Sequence, residues 1–553
     1  MKKAIVSLVT VIVTICLIVG IYFGAQLIIK YTPSKEHMQA DAWFGVSGDE
    51  VAILYQDELL DITGLYQNGQ VYLPLIWVNA ALNERFYWDE GGQQLIYTLP
   101  DDIVYAGLTT VGNSGAPLLI KSEDEVYLLT SMILAYTDIQ AQAHTESDVK
   151  RIFIDDRWMT AEKASIKKEG NVRLLGGIKS DILTPVVPGE NVTILGRMEE
   201  WSYVKTDNGF LGYIENKRLS ETIEEPQISI FVSPDYANIS LDKEICLVWH
   251  QVGSKDAHEK LEDSLADTDG INVLAPTWFM LKDNDGNYES LATKAYVDKA
   301  HARGIQVWAT LDNFNYNEGK DVQSHILFAK TEARRHLIDS MIAEVKELGI
   351  DGINLDVEGI RPEAGPHYVQ FIRELSIDCR REGIILSVDT YVPTPYTEFY
   401  NRKEQGIIAD YVIIMAYDEH TARNGPGSVS SISFVENGIR DTLNDVPKEK
   451  LICALPFYMR LWPEEGSEAK VQAFGITTGR NWIINNNVEM YWQEELGQYY
   501  GEKEIDQVKY MLWQEEEDSL ARKIEAVRSN GLAGAAYWKL GFDSADIWET
   551  VKP

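Results

Sequence analysis

Two periodicities alternate along the chain from about Leu241 to the C-terminus. Helix-period stretches such as 331–348, 368–381 and 516–528 follow short apolar runs, and several end near a glycine, which is typical of a helix C-terminus. Short apolar runs of this length are interpreted as buried strands. The predicted strands are 245–250, 271–280, 305–311, 352–358, 384–391, 411–417, 451–458 and 532–538.

Eight strand and helix units in about 310 residues favour an α/β fold, a (β/α)8 TIM barrel over residues 241–553. A doubly wound open sheet is the alternative architecture. That alternative is disfavoured because no glycine-rich phosphate loop follows the first strand.

The N-terminus carries a different pattern. Residues 4–29 are an uncharged apolar run, with Lys2 and Lys3 before it and Lys30 after it. This length is sufficient for one transmembrane helix, and no clear small-residue cleavage site ends the run, so residues 1–31 are predicted to be a cytoplasmic tip and an uncleaved anchor rather than a cleaved signal peptide. The positive N-terminus should stay in the cytoplasm, which places the rest of the chain outside the cell.

Residues 44–158 contain a weak internal repeat with an offset of about 55 residues, whose copies start at Val71 and Val126. Each copy predicts a strand, a short helix and a closing strand pair. The segment resembles the stalk-like α+β module at the N-terminus of copper amine oxidases, although no metal site is implied. We expect a spacer or an oligomerisation module.

Residues 168–220 alternate short β-rich runs with turn signals such as Pro188-Gly189 and Asp207-Asn208-Gly209, which predicts a small β-barrel. The segment resembles bacterial SH3 modules, which often occur in cell-wall enzymes. Trp201 and Tyr213 are candidates for a glycan or peptide platform, but core packing is the simpler interpretation.

Composition excludes several classes of protein. Asp and Glu outnumber Lys and Arg by 85 to 50, giving a net charge of −35, which disfavours nucleic acid as a partner. The four cysteines are scattered without metal-ligand spacing and predict buried thiols rather than disulfides or a metal site. A composition of 45% hydrophobic and 24% charged residues indicates a globular protein.

Candidate chemistry lies on the fourth predicted strand. Asn354, Asp356 and Glu358 alternate along it, so their side chains project to one face, the barrel interior at its C-terminal mouth. Three polar groups facing a core are costly unless they serve a site. Two acids about 6–7 Å apart along a strand perturb each other's pKa, as general acid catalysis of glycoside cleavage requires.

The run from Asp351 to Glu358 resembles the signature Asp-x-x-Asp-x-Asp-x-Glu of glycoside hydrolase family 18, the chitinase-like hydrolases, and in particular the branch of spore-cortex and cell-wall N-acetylglucosaminidases. Asn354 departs from the signature at its second acid. Since the departure removes one negative charge behind Asp356, we expect Asp356 to ionise more easily. Two further motifs, Met415-Ala416-Tyr417-Asp418 and a tryptophan on the last strand, Trp538, strengthen the resemblance.

The resemblance implies substrate-assisted, retaining cleavage, in which the acetamido carbonyl of the substrate attacks the anomeric carbon. It implies that Glu358 is the general acid and then the base, that Asp356 orients the acetamido N–H, and that Tyr417 holds its carbonyl. The implied substrate-binding residues are Asn354, Met415, Asp418 and Trp538.

The resemblance implies no metal or organic cofactor. The expected partner is an N-acetylated glycan, peptidoglycan or a chitin-like polymer, and the anchor and the SH3-like segment favour wall glycan. A catalytically weak glycan-binding protein on the same barrel is one alternative, disfavoured because the terminal Glu358 is present; a secreted chitinase is another. The sequence leaves open the polymer, internal or terminal cleavage, and the oligomeric state.

Overall fold

The computed structural model describes residues 2–314, 322–464 and 470–553. The chain divides into two compact units. The first comprises Met1–Phe86 with Ala106–Ser233, and the second comprises Tyr87–Tyr105 with Pro234–Pro553. Residues 87–105, which lie within the predicted 44–158 segment, therefore group with the unit that contains the barrel.

The N-terminal half is rich in short strands. Its helices are α1 (Lys2–Tyr31), α2 (Ala40–Phe44), α3 (Leu75–Ala81) and α4 (Thr130–Tyr136). Its strands are β1 (Glu50–Tyr55), β2 (Glu58–Gln67), β3 (Gln70–Pro74), β4 (Tyr87–Asp89), β5 (Gln94–Thr98), β6 (Ile103–Gly107), β7 (Leu119–Ser122), β8 (Glu125–Leu129), β9 (Gln140–His144), β10 (Lys150–Asp155), β11 (Ala161–Ser165), β12 (Gly170–Arg173), β13 (Ile182–Val186), β14 (Asn191–Arg197), β15 (Trp201–Thr206), β16 (Leu211–Glu215) and β17 (Ile223–Glu225).

Helix α1 has 30 residues, a hydropathy of 2.9 and no buried residue, so it is long and apolar enough to cross a membrane. The same length and composition also suit a signal sequence, because the helix lies at the N-terminus.

The predicted internal repeat is present. In the first copy β3 and α3 precede the β4–β5 hairpin, and in the second β8 and α4 precede the β9–β10 hairpin. Two seven-stranded sheets build the first unit, in the orders β7-β8-β3-β2-β1-β10-β9 and β13-β12-β16-β15-β14-β11-β17. The second sheet has its own apolar core, which includes Val172, Val204 and Ile214.

The second unit continues the chain with fourteen strands and ten helices among the described residues. The strands are β18 (Ile245–His250), β19 (Val273–Leu281), β20 (Tyr288–Ser290), β21 (Gln306–Asp312), β22 (Gly352–Asp356), β23 (Ile385–Tyr391), β24 (Tyr411–Met415), β25 (Leu451–Pro456), β26 (Tyr458–Pro463), β27 (Gln472–Gly475), β28 (Met490–Gln493), β29 (Gln498–Ile505), β30 (Val508–Gln514) and β31 (Gly534–Trp538). The helices are α5 (Leu261–Ser264), α6 (Lys294–Ala302), α7 (Ser324–Leu327), α8 (Thr331–Leu348), α9 (Gly365–Glu382), α10 (Arg402–Ile408), α11 (Ile432–Thr442), α12 (Ile476–Asn485), α13 (Glu517–Ser529) and α14 (Trp548–Val551).

Eight of these strands pair in parallel: β18, β19, β21, β22, β23, β24, β25 and β31. Strand β18 closes the ring by pairing with both β19 and β31. The predicted eight-stranded barrel is confirmed, with the carboxylate motif on its fourth strand. Strands β26 to β30 form a separate antiparallel sheet between the seventh and eighth barrel strands.

Alternation along the barrel strands separates two cores. Residues such as Leu274, Ile353 and Val388 pack outward against the helices, while Trp308, Tyr411 and others fill the barrel interior. Helices α8 and α9 end at Gly349 and Gly383, whose φ angles of 71° and 70° are left-handed, as the glycine pattern predicted.

The hairpin β4–β5 packs on the helical layer of the barrel. The Tyr87 hydroxyl lies 2.7 Å from His367 Nδ1, and Arg380 Nε donates to the Pro100 carbonyl at 2.9 Å. Beneath Tyr87, Arg334 and Glu374 form a fully buried ion pair between α8 and α9, with an N–O distance of 2.9 Å. This contact explains why residues 87–105 group with the barrel rather than with their neighbours in sequence.

Candidate active site

A polar layer crosses the barrel interior below its C-terminal mouth. Trp249 Nε1 donates to Asn354 Oδ1 at 3.0 Å, and Thr310 Oγ1 donates to the same oxygen at 3.1 Å. On its other side, Asn354 Nδ2 donates to Ser387 Oγ at 3.0 Å and to Asp389 Oδ1 at 2.7 Å. The orientation of the amide is fixed, because an indole N–H can only donate and must therefore meet the oxygen.

One layer closer to the mouth, three carboxyl groups stand side by side on neighbouring strands. Asp312 of β21 is in register with Asp356 of β22. Asp389 of β23 follows Val388, the register partner of Leu355, and is therefore level with Asp356. All three side chains point inward, because each follows a residue that packs outward against the helices, and all three are buried.

The carboxyls of this layer hold protons more strongly than usual. Burial raises the pKa of Asp356 well above its ordinary value, and the charges of Asp389, Glu358 and Asp312 raise it further, in that order. Burial also raises the pKa of Asp389, although the hydrogen bond from Asn354 opposes this effect. Burial and, to a smaller extent, the charge of Glu358 raise the pKa of Asp312 to about 7.

Glu358 lies just beyond the end of β22 and is half-buried. Asn313 fixes its backbone on both sides, since Asn313 Oδ1 accepts from the Glu358 N–H at 2.9 Å and Asn313 Nδ2 donates to the Glu358 carbonyl at 2.7 Å. Burial raises the pKa of the Glu358 carboxyl, a hydrogen bond from the Tyr391 hydroxyl lowers it, and the charge of Asp418 raises it. Glu358 is therefore a carboxyl group whose proton is retained more strongly than in water, at a fixed position.

Tyr417 and Asp418 follow the end of β24. Tyr417 is half-buried, and burial with the charges of Asp356 and Glu358 raises its pKa well above the usual value, so its hydroxyl is a neutral hydrogen-bond donor. Asp418 is exposed, and its Oδ1 accepts hydrogen bonds from Tyr458 and Arg460. Met415, the last residue of β24, is buried on the interior face.

Trp538 ends β31, the eighth strand, and is half-buried. Its ring centroid lies 6.0 Å from that of Trp249, the residue that donates to Asn354. An aromatic ring partly open at the mouth of a barrel offers a stacking surface for the apolar face of a sugar ring.

The predicted residues therefore gather at one end of one barrel. Asn354 is the exception in depth: it is fully buried, and both polar atoms of its amide bind protein groups. This placement does not fit the substrate contact predicted for Asn354, because its amide is buried and bound to protein groups. Asp351, the first acid of the signature, lies at the opposite end of β22, where it accepts from the Val307 N–H at 2.8 Å.

That Asn354 lets Asp356 ionise more easily than an aspartate at position 354 would stays a prediction. Asp389 supplies a further carboxyl from the next strand, and burial together with the charge of Asp389 raises the pKa of Asp356 above its ordinary value. Sequence reasoning missed Asp312, Asn313, Asp389 and Tyr391. Asp312 and Asp389 carried a usable signal, because each is a polar residue at an alternate position near the end of an apolar strand.

Chemically, the site combines a half-buried carboxyl that retains its proton, a buried acid two residues before it, a neutral phenol and an aromatic platform. This combination can protonate a leaving-group oxygen and bind an uncharged polar substituent. Within residues 2–314, 322–464 and 470–553, no group of three His, Cys, Asp or Glu side chains is arranged to hold a metal ion.

Part of this chain is similar to known glycosidases. Residues 279–543 match the family model of glycosyl hydrolases family 18. The chain is 25% identical over 295 residues to the Bacillus subtilis protein named "Uncharacterized glycosylase YvbX", covering 51% of this chain and 84% of that protein. It is 24% identical over 247 residues to the cortical fragment-lytic enzyme of Bacillus subtilis, covering 43% of this chain and only 57% of that enzyme.

Among solved structures, the spore cortex-lytic enzyme SleL of Bacillus megaterium matches with a TM-score of 0.50 and 20% sequence identity, over 59% of this chain and 77% of that one. This likeness concerns the fold. The family match and the named relatives confirm the sequence prediction of a glycosidase. The barrel of this chain is similar to glycosyl hydrolases family 18, whose family model matches residues 279–543.

Proposed function

We propose that this protein is a membrane-anchored, extracytoplasmic glycosidase that cleaves bonds next to N-acetylglucosamine in peptidoglycan or a related wall glycan. The observation that carries the proposal is the group formed by Asp356, Glu358 and Tyr417 at the mouth of the barrel. Both carboxyls have a raised pKa and the phenol stays neutral, a protonation pattern that suits acid catalysis near neutral pH.

In the proposed reaction Glu358 protonates the departing glycosidic oxygen and then, as its carboxylate, removes a proton from the attacking water. The acetamido carbonyl of the substrate is the nucleophile, so the anomeric configuration is retained. Asp356 accepts the acetamido N–H, and the Tyr417 hydroxyl donates to its carbonyl oxygen. The reaction therefore requires an N-acetyl group beside the cleaved bond.

Substrate recognition is proposed to use the surface of the mouth. Trp538 stacks beneath the sugar at the cleavage point, Met415 contributes an apolar wall, and Asp418 holds a sugar hydroxyl. Asp418 suits this role because it is exposed while Tyr458 and Arg460 fix its carboxylate.

Two features favour wall glycan over free chitin. Helix α1 suits an anchor that keeps the enzyme beside the wall, and one relative is named a cortical fragment-lytic enzyme. In the same proposal residues 44–158 are a stalk-like spacer and residues 168–220 an SH3-like module. Protease added to intact cells should degrade most of the chain, and protection of the chain would contradict the external topology.

The activity is tested by incubating the full-length protein in detergent with purified peptidoglycan and, separately, with chitin oligomers, and by identifying released fragments by mass spectrometry. We expect fragments with N-acetylglucosamine at the new reducing end from peptidoglycan. Glu358→Gln should release them ~10²–10⁴-fold more slowly, while Glu363→Gln, which changes an exposed glutamate outside the site, should behave as wild type.

Binding of peptidoglycan without fragment release by the wild type would favour a glycan-binding protein on the same barrel. Faster cleavage of chitin oligomers than of peptidoglycan would favour a chitinase. The first result would contradict the proposed activity, and the second would contradict the proposed substrate.

A further inference from the structure

We propose that Asp389 shares a single proton with Asp356. Asp389, on the neighbouring strand, thereby replaces the acid that is missing at position 354, where this chain has an asparagine. Asp389 is a positioning residue in this proposal, because it acts on the substrate only through Asp356. The kinetic part of the inference rests on the proposed function, whereas the shared proton is a property of the protein alone.

The register of β22 and β23 brings Asp356 and Asp389 side by side. Leu355 of β22 pairs with Val388 of β23, so the next residues, Asp356 and Asp389, are adjacent on two parallel strands. Neighbouring strands are about 5 Å apart, closer than the ~6–7 Å between alternate residues of one strand. An acid at position 389 is thus at least as close to Asp356 as an acid at position 354 would be.

The hydrogen bonds of the two carboxyls leave one oxygen of each without a partner among the described residues. Asn354 Nδ2 donates to Asp389 Oδ1, and the amide cannot turn over, because its oxygen receives the Trp249 indole N–H. Asp389 Oδ2 is left buried, and so is Asp356 Oδ1; among the residues that the structure describes, neither atom has a hydrogen-bond partner. One proton between these two oxygens gives both a partner, which removes the cost of two unsatisfied buried acceptors.

The charged groups that act on Asp356 are all acidic. Asp389 is the first of the charged groups that raise the pKa of Asp356, ahead of Glu358 and Asp312, and all three are acids. The remaining titratable groups that act on Asp389 or are acted on by it are phenols, Tyr368 on α9 and Tyr417 after β24. Because two adjacent buried carboxylates without a cation repel each other strongly, the stable state of the pair carries one proton and one negative charge.

The proton transfer is balanced within the pair. When the O–H bond on Asp389 Oδ2 breaks, an O–H bond forms on Asp356 Oδ1, and the reverse transfer leaves Asp356 as the anion that accepts the acetamido N–H. Asp389 thus stores the proton while Asp356 is needed as a carboxylate. No other reactant takes part.

The kinetic test compares Asp389→Asn, Asn354→Asp and the exchange variant Asn354→Asp/Asp389→Asn in the full-length protein. We expect Asp389→Asn to lower kcat about tenfold or more, since general acid–base assistance is worth ~10²–10⁴-fold, and to move the acidic limb of the kcat profile to lower pH. The exchange variant should recover part of kcat, because it returns one acid and one amide to the pair of positions.

The matched control is Asp410→Asn. Asp410 is a buried carboxyl of the same barrel that accepts backbone N–H groups, and it lies at the opposite end of β24. Its replacement should lower stability without moving the pH profile. If Asp389→Asn also keeps the wild-type profile, or if the exchange variant is no more active than Asp389→Asn alone, the proposal is overturned.

A measurement without substrate separates this inference from the proposed function. Infrared difference spectra of wild type minus Asp389→Asn at neutral pH should show the loss of one protonated-carboxyl C=O band, because Asp356 alone ionises once its partner acid is gone. An unchanged band would overturn the shared proton even in an active enzyme. A lost band in a protein that cleaves no N-acetylated glycan would support the shared proton and reject the proposed function.

Discussion

The hydrogen bond from Tyr391 to Glu358 sets where the general acid loses its proton. The Tyr391 hydroxyl donates to the Glu358 carboxylate and accepts from the Gly359 N–H at 3.1 Å. A donor stabilises the ionised form of a carboxyl, so this bond lowers a pKa that burial has raised. We therefore expect Tyr391→Phe to raise the pKa of Glu358 and to extend the basic limb of the kcat/KM profile to higher pH.

The size of the effect follows from the type of bond. A hydrogen bond to a charged group contributes about 1.5–3 kcal/mol, and about 1.4 kcal/mol changes an equilibrium constant tenfold. The proton affinity of Glu358 should then rise by about tenfold to a hundredfold. Because Tyr391 is half-buried and water can replace part of the lost interaction, we expect the lower end of this range.

The assay is the pH dependence of kcat/KM on one N-acetylated oligosaccharide, whose limbs report groups of the free enzyme. Tyr400→Phe is the matched control, because Tyr400 contacts the Tyr391 ring, yet its hydroxyl donates to the Val357 backbone carbonyl at 3.3 Å. A basic limb that stays in place, or that moves equally in Tyr400→Phe, would refute the assignment of this hydrogen bond as the cause.

Three further outcomes are expected. Glu358→Gln should lower kcat by ~10²–10⁴-fold with fold and glycan binding retained, as measured by turnover, circular dichroism and pull-down; near wild-type turnover would mean that another group is the acid. Asn354→Asp should move the acidic limb of the pH profile to higher pH without changing substrate preference, because it replaces the donor to Asp389 by another acid; a changed preference would place residue 354 in contact with the sugar. Glu374→Gln should lower the free energy of unfolding by about 3–5 kcal/mol in denaturant titrations, since it leaves the buried Arg334 without a counter-charge; an unchanged midpoint would show that this pair is not needed for stability.

The periodic pattern determined the barrel well. Predicted strands 245–250 and 411–417 correspond to Ile245–His250 and Tyr411–Met415, and the predicted helix 331–348 is observed as Thr331–Leu348. These elements can be predicted from the sequence, because alternation and helical spacing are local properties. A single strand or helix must satisfy them to bury its apolar face.

The tertiary partner of the hairpin at residues 87–105 could not be predicted by the same reasoning. Its strand signals placed it in the 44–158 segment, whereas the structure groups it with the barrel unit. Tyr87 and its contacts with His367 and Arg334 decide this, and these partners lie more than 240 residues away in the chain. A local pattern carries no information about which distant surface will receive it.

The sequence by itself determined the fold class, the strand that bears Asp356 and Glu358, and the face to which they point. Only the tertiary structure decided that Asp312 and Asp389 share a layer with Asp356, and that Asn354 supports this layer from below. The physical reason lies in the stagger of the barrel strands. The direction of a side chain follows from alternation within its own strand, whereas its height relative to residues on neighbouring strands depends on the register between strands. That register is set by the closure of the whole sheet.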